Sequence, residues 1–240
     1  MANHAMLNNV AHRDLRVHTG HGPEYGDNVM CALAIPSEFR NLVSDYPIFL
    51  HREHGTGRLL PMAMFGFEDE ENLFLEGDRW SASYIPLLMR RGPFLIGFQG
   101  GDPGSGTDRN MVITIDMDNP RVGASGELLF EPFGGNSAYT DQIVEVLQEI
   151  DRGQSAIEEL GRSLLEHDLV EPFSLEVKLD NRKQYRLEGF NTINEEKLAG
   201  LDEDVLVDFS RRGILHAAYM LLASMSNVPR LIALKNSRYG

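Results

Sequence analysis

Tyr46-Pro47-Ile48-Phe49-Leu50-His51 and Leu59-Leu60-Pro61-Met62-Ala63-Met64-Phe65-Gly66-Phe67 stand on either side of His54-Gly55-Thr56-Gly57. Two apolar runs joined by a short Gly-rich turn read as a β-hairpin over 46–67. Upstream, Met30–Ile35 is a short apolar run suited to a buried strand, and Pro36-Ser37-Glu38-Phe39 opens a short helix, with Pro favourable in the first turn. Downstream, Asn72–Leu75 adds a short strand. A helix is expected from Ser83 to Arg91, with Pro86 near its start, Arg90 and Arg91 complementing the negative end of its dipole, and Gly92-Pro93 stopping it. Phe94–Phe98, Met111–Met117 and Leu128–Phe130 read as further strands around a Gly/Asp/Ser loop at Gly100–Asn110.

The chain changes character near Thr140. Ile143, Leu147 and Ile150 share a helical face, as do Ile157, Leu160 and Leu164; Gly153 either separates two helices or is absorbed in one. Phe173–Leu179 and Gln184–Phe190 form a second hairpin around Asp180-Asn181-Arg182. Asn194 caps a helix through Leu198, Asp202 starts another, and Ile214, Ala217, Ala218, Leu221, Leu222 and Met225 make a core-facing stripe in the last. Antiparallel strands and hairpins in the N-terminal part, then helices with a second hairpin, give the class α+β rather than a doubly wound sheet. Residues 1–28 are expected as a flexible arm with one short strand near Leu15–Val17, and 29–240 as a single domain with a subdivision near 138.

The charge bounds the partners. The chain of 240 residues carries a net −14, and Asp141–Asp208, with 18 acidic and 7 basic residues, carries −11 of it. Such a surface repels phosphate backbones and anionic membranes, so neither nucleic acid nor a membrane is expected as partner. The single cysteine, Cys31, permits no intrachain disulfide and reads as a buried, inert thiol. Met1–Gly20 is polar without an apolar segment, and Ile214–Met225 is short for a membrane span, so a cytoplasmic protein is expected.

Trp80-Ser81-Ala82-Ser83-Tyr84-Ile85-Pro86-Leu87-Leu88-Met89-Arg90-Arg91-Gly92-Pro93-Phe94 holds the only Trp of the chain. Its pattern, W-x-A-x-Y-I-P-x-x-x-R-R-x-P-F, resembles the signature of the SapC-like family of bacterial proteins, named after surface-layer SapC. Tyr46-Pro47-Ile48, the Thr56-Gly57 turn, Glu71-Asn72-Leu73-Phe74, Thr114-Ile115-Asp116, Gly126-Glu127-Leu128-Leu129-Phe130, Leu187-Glu188-Gly189-Phe190 and Asn194-Glu195-Glu196-Lys197-Leu198 extend the resemblance over most of residues 30–235. Gly92 departs from it, standing where an aromatic is expected in R-R-Y-P-F. The resemblance implies no catalytic residues; it implies a link to outer-membrane nutrient uptake or its regulation.

Several constellations bear chemistry. Arg90 and Arg91 can clamp a carboxylate, with Trp80 and Tyr84, one helical turn apart, as neighbours of a ligand pocket; the competing role of the arginines is to pair with Glu68–Glu71. His51-Arg52-Glu53 is the leading part of an iron-binding facial triad, with His216 or His167 as third ligand, although His216 on an apolar helix reads more simply as a core histidine. His12-x-Asp14 and His18-x-x-His21 lie in the expected arm. Gly97–Asn110 has five glycines but neither P-loop lysine nor dinucleotide spacing, and Asp102 and Asp108 repel phosphate. Asp116-x-Asp118-Asn119 is an incomplete calcium loop, and Ser37, Ser105 and Ser163 lack a nucleophile-elbow context.

The leading expectation is a non-enzymatic binding or accessory protein without cofactor, with an unidentified protein or small-molecule partner and oligomerisation left open. The alternatives are a non-haem iron, 2-oxoacid-dependent oxygenase using His51, Glu53 and a later His, and a surface-layer structural component.

Overall fold

A computed structural model describes residues 3–99, 110–180 and 183–238. The first strands are β1 (His4–Met6), β2 (Arg16–Val17) and β3 (Cys31–Leu33). A 3-10 turn at Pro36–Glu38 runs into α1 (Phe39–Leu42), and the hairpin β4 (Ile48–Arg52) and β5 (Leu59–Met64) follows. Its register, Ile48 opposite Ala63 and Arg52 opposite Leu59, is antiparallel as the sequence implies, and Gly55 and Gly57 take positive φ in the turn. The stretch expected as a flexible arm is paired: β1 lies against β9 (Asn110–Asp116), and β2 lies between β10 (Val122–Gly123) and β11 (Glu127–Leu128). Val17 is fully buried among Phe94, Ile115 and Leu129, which gives the segment an apolar anchor despite its polar composition.

β6 (Leu75–Glu76) and β7 (Arg79–Trp80) form a small hairpin, so Trp80 sits on a strand. The helix expected over 83–91 shrinks to α2 (Leu87–Arg90). One local and one tertiary interaction prevent the longer helix. Pro86 is extended at φ −56°, ψ 145°, and a proline disfavours helical geometry in the residue before it. Ser83 is also held outside the helix, its backbone N–H donating to the Asp45 carboxylate at 3.0 Å. β8 (Phe94–Gln99) then pairs with β9. The loop expected at 100–110 lies, but for the backbone of Asn110, outside the described residues, as does most of the second hairpin's turn.

α3 (Ala138–Glu166) is one unbroken helix of 29 residues, about 43 Å long, capped by Ser137, whose hydroxyl accepts the Thr140 N–H. Gly153 is absorbed in it for a steric reason: a Cβ there would overlap Cγ2 of Ile35. Ile143 and Leu147 pack on β8 and β9, Val146 and Ile150 pack beneath α2, and Leu160 and Leu164 join the main core. The helix therefore staples the three apolar clusters together. β12 (Val170–Lys178) and β13 (Gln184–Ile193) complete a five-stranded antiparallel sheet in the order β12-β13-β4-β5-β3.

α4 (Glu195–Ala199), α5 (Glu203–Arg211), α6 (Ile214–Ser224) and α7 (Val228–Ser237) close the chain. Ile214, Ala217, Ala218 and Leu221 face the core, while His216 is exposed, not the core histidine the apolar pattern suggests. With the intervening 3-10 turn, α6 and α7 make 24 helical residues, Ile214–Ser237, long and apolar enough by composition to cross a bilayer, a property that core helices share.

Candidate functional site

Trp80 and Tyr84 belong to one hydrogen-bonded cluster around Tyr46. Trp80 is 7% exposed, its indole N–H donates to the Tyr46 hydroxyl at 2.7 Å, and that hydroxyl donates to the Tyr84 carbonyl at 2.6 Å. The Tyr84 hydroxyl lies between Glu38 and Arg90; burial first, then the Glu38 charge, pushes it up to about 12. Glu38 is itself buried, accepting the backbone N–H groups of Ile35 and Leu87 at 2.9 Å each. It thereby ties the start of α1 to the start of α2, and burial raises its carboxyl above the usual range.

The arginines do not pair with Glu68–Glu71. The Glu68 and Glu71 carboxylates instead hold the fully buried Lys235 of α7, whose ammonium also lies over the Tyr185 ring. Among the described residues, neither Arg90 nor Arg91 has an ion-pair partner. Arg91 donates to the Phe94 carbonyl at 3.0 Å, and burial lowers its proton affinity. Arg90 is exposed and shares the Tyr84 hydroxyl with Glu38, whose oxygens also accept the Ile35 and Leu87 N–H groups.

Each arginine lines its own cavity, and Met89, Gly92 and Arg121 line both. The Arg90 cavity is about 150 Å³ and adds His18, His21, Thr19, Tyr139 and Gln142 to an apolar wall of Ile85, Ile143 and Val146. The Arg91 cavity is about 380 Å³ and includes Tyr25, Asp27, Cys31 and Asn119. Gly92, at φ 51°, is where a side chain is missing: a Cβ would meet only Cδ of Arg121, at 3.7 Å. The departure from R-R-Y-P-F therefore leaves open space between the cavities.

Arg121 is the residue that sequence reading missed. It is 6% exposed and donates through Nη2 to both oxygens of Asp27, at 2.8 and 2.6 Å, and through Nη1 to the carbonyls of His18 and Gly20. Its guanidinium lies over the Tyr25 ring, on which the His18 ring stacks at 4.5 Å. Asp27 also receives the Gly22 N–H and the Nδ1 of His21. Burial works to raise its carboxyl, but His21, Arg121 and the Gly22 N–H outweigh it and hold the group below its ordinary range. These bonds fix both histidines. Nδ1 of His18 accepts the Gly20 N–H, which leaves the proton of a neutral ring on Nε2; His21 presents Nδ1–H to Asp27. Burial pushes the Tyr139 hydroxyl up to about 12, so it remains a neutral donor at physiological pH.

The remaining candidates stay apart. His51 is half-buried, with its ring against His54 and Phe190, and the Glu53 carboxylate takes the Thr56 hydroxyl. His167 packs edge-on to Phe209. Among the described residues no three His, Cys, Asp or Glu side chains gather in a metal-binding group, so His51, Glu53 and His216 do not converge. His12 is buried, its Nδ1 accepting the Asn8 N–H. Asp116 and Asn119 accept backbone N–H groups of their own turn. Ser163 accepts from Arg212, Ser37 is exposed, and Ser105 lies outside the described residues.

A family model of SapC matches residues 7–231, from just after β1 into the first turn of α7, and takes in every residue of the two cavities. The chain belongs to the SapC family. No curated protein and no solved structure matches it. The SapC match begins within the stretch that the sequence alone suggests is an arm, in keeping with the strand pairing of residues 4–17.

Proposed function

We propose that this SapC-family protein is a non-enzymatic binding or accessory protein that takes a small molecule at the cavities flanking α2. The observation that carries the reading is the pair Arg90–Arg91: adjacent guanidiniums at the end of α2, each lining a cavity of its own. The walls suit binding, with an apolar side and a few fixed polar groups. The Asp27–Arg121 pair and the Glu38 anchor make the frame rigid before any ligand arrives, which lowers the cost of ordering on association.

The test is a thermal-shift screen of the full chain against a library of neutral, cationic and anionic metabolites, repeated on Gln142→Trp. Gln142 is an exposed position of α3 at the edge of the smaller cavity, so the indole obstructs that cavity without entering the core. Hits that disappear in the variant support the reading. A library with no hit in any charge class overturns it.

A further inference from the structure

We propose that the occupant of the Arg90 cavity is a small carboxylate carrying a short apolar tail. The inference rests on the binding reading above and deepens it. Its first ground is charge: the lining contains Arg90 and Arg121 and no carboxylate, although acidic residues outnumber basic ones 36 to 22 in the chain. The one acidic group bonded to this wall, Asp27, is consumed by Arg121, Gly22 and His21. Arg121 spends its Nη donors on Asp27 and on the His18 and Gly20 carbonyls, so it shapes the wall and Arg90 supplies the charge.

The second ground is the supply of neutral donors. Tyr139, Thr19 and Gln142, residues that carry neutral donors, line the cavity with Arg90, and a carboxylate accepts bonds at both oxygens. The third is size and polarity. Drug-sized ligands occupy roughly 300–1,000 Å³, whereas this cavity holds about 150 Å³. Ile85, Met89, Ile143 and Val146 offer a tail of a few carbons an apolar wall that inorganic phosphate leaves unused.

The proposal is tested by following amide shifts of the ¹⁵N-labelled full chain with four probes: butyrate, butyramide, butylammonium and inorganic phosphate. Butyrate is expected to shift Gly92 and Gln142 and to bind more tightly than the other three. Arg90→Ala is expected to weaken butyrate roughly ten- to hundredfold, the span of a lost charge-assisted hydrogen bond, and Arg90→Lys to weaken it less, because the charge remains. Arg90 is exposed, so both variants retain the fold. Butyramide or butylammonium binding as well as butyrate, with Arg90→Ala indifferent, overturns the carboxylate assignment and leaves the binding reading intact. Phosphate binding more tightly than butyrate overturns the tail. Silence from all four probes while the wider library gives hits defeats this inference alone; silence from both defeats the two together.

Discussion

Asp27 and Cys31 show how single groups near the site respond to their surroundings. The Asp27 carboxyl is held below 3.8 by its partners against the opposing effect of burial. Above 3.8 it is ionised in both the folded and the unfolded chain, and its interactions contribute in full. Below 3.8 the unfolded chain takes up the proton first, and the contribution is lost as the pH falls through the lower folded value. Glu38 works in the opposite sense, because burial raises it above 4.5 and its ionisation costs stability as the pH rises. Asp27→Asn isolates the first effect. It is expected to cost about 3–5 kcal/mol by leaving Arg121 buried without its counter-charge, and to flatten the fall in the urea midpoint as the pH drops below 3.8. An unchanged acid slope rejects the assignment. For Cys31, burial and then the Asp69 charge push the thiol up to about 11. A disulfide reagent at about pH 8 is expected to modify the native thiol roughly a hundredfold more slowly than the denatured one; equal rates contradict that. The apolar run Met30–Ile35 suggests a buried thiol, but Cys31 is half-buried and lines the Arg91 cavity. Arg121 was not legible in the sequence, because its meaning lies in a bond to a residue 94 positions away, and no local pattern encodes that distance. His18-x-x-His21 was visible as a motif, but its place at a cavity depends on the same long-range pair.

At the scale of elements, periodicity was a reliable guide where packing and propensity agree and failed where a tertiary bond intervened. The hairpin of β4 and β5 and the apolar face of α3 follow directly from residue type. The shortened α2 does not, since Asp45 captures Ser83 from a distant part of the chain. Gly153 illustrates the balance of terms. Within a helix, Gly→Ala ordinarily gains about 0.5–1 kcal/mol. Here the new methyl overlaps Ile35, and overpacking costs about 1–3 kcal/mol. Gly153→Ala is therefore expected to destabilise, and Ile35→Ala in the same chain to leave the added methyl with little further cost. A stabilised single variant, measured by chemical denaturation, contradicts the close approach of α3. Glu38 is the counterpart for α2, a side chain that stands in for the missing helical turn. Glu38→Ala leaves the Ile35 and Leu87 N–H groups without acceptors at a cost of about 1–3 kcal/mol each. Faster hydrogen exchange is expected at Leu87–Gly92, with weaker ligand binding as Arg90 loses its fixed position. Unaltered exchange there removes Glu38 as the anchor.

Over the whole molecule, the class α+β was legible because antiparallel hairpins and amphipathic helices fall in separate runs along the chain. The closure of the chain was not. Lys235, fully buried near the end of α7, holds Glu68 and Glu71, more than 160 residues earlier, and so ties the last helix to the segment leading into the β6–β7 hairpin and Trp80. The pairing also explains why Arg90 and Arg91 remain available: the carboxylates that their position in sequence offers are committed elsewhere. Removing one partner of a buried pair costs about 3–5 kcal/mol. Lys235→Met is expected near the lower end, since the Glu68 side chain is 47% exposed and regains water. Replacing all three, as Lys235→Met with Glu68→Gln and Glu71→Gln, removes the like-charged carboxylates left facing each other. It keeps the Glu71 acceptor for the Phe67 N–H, a bond of 2.9 Å. The triple variant should therefore recover most of the stability lost by the single one. Urea denaturation of the two decides the matter. If the triple variant is no more stable than Lys235→Met, the loss comes from packing of the lysine stem rather than from stranded charge, and α7 is fastened by apolar contact instead.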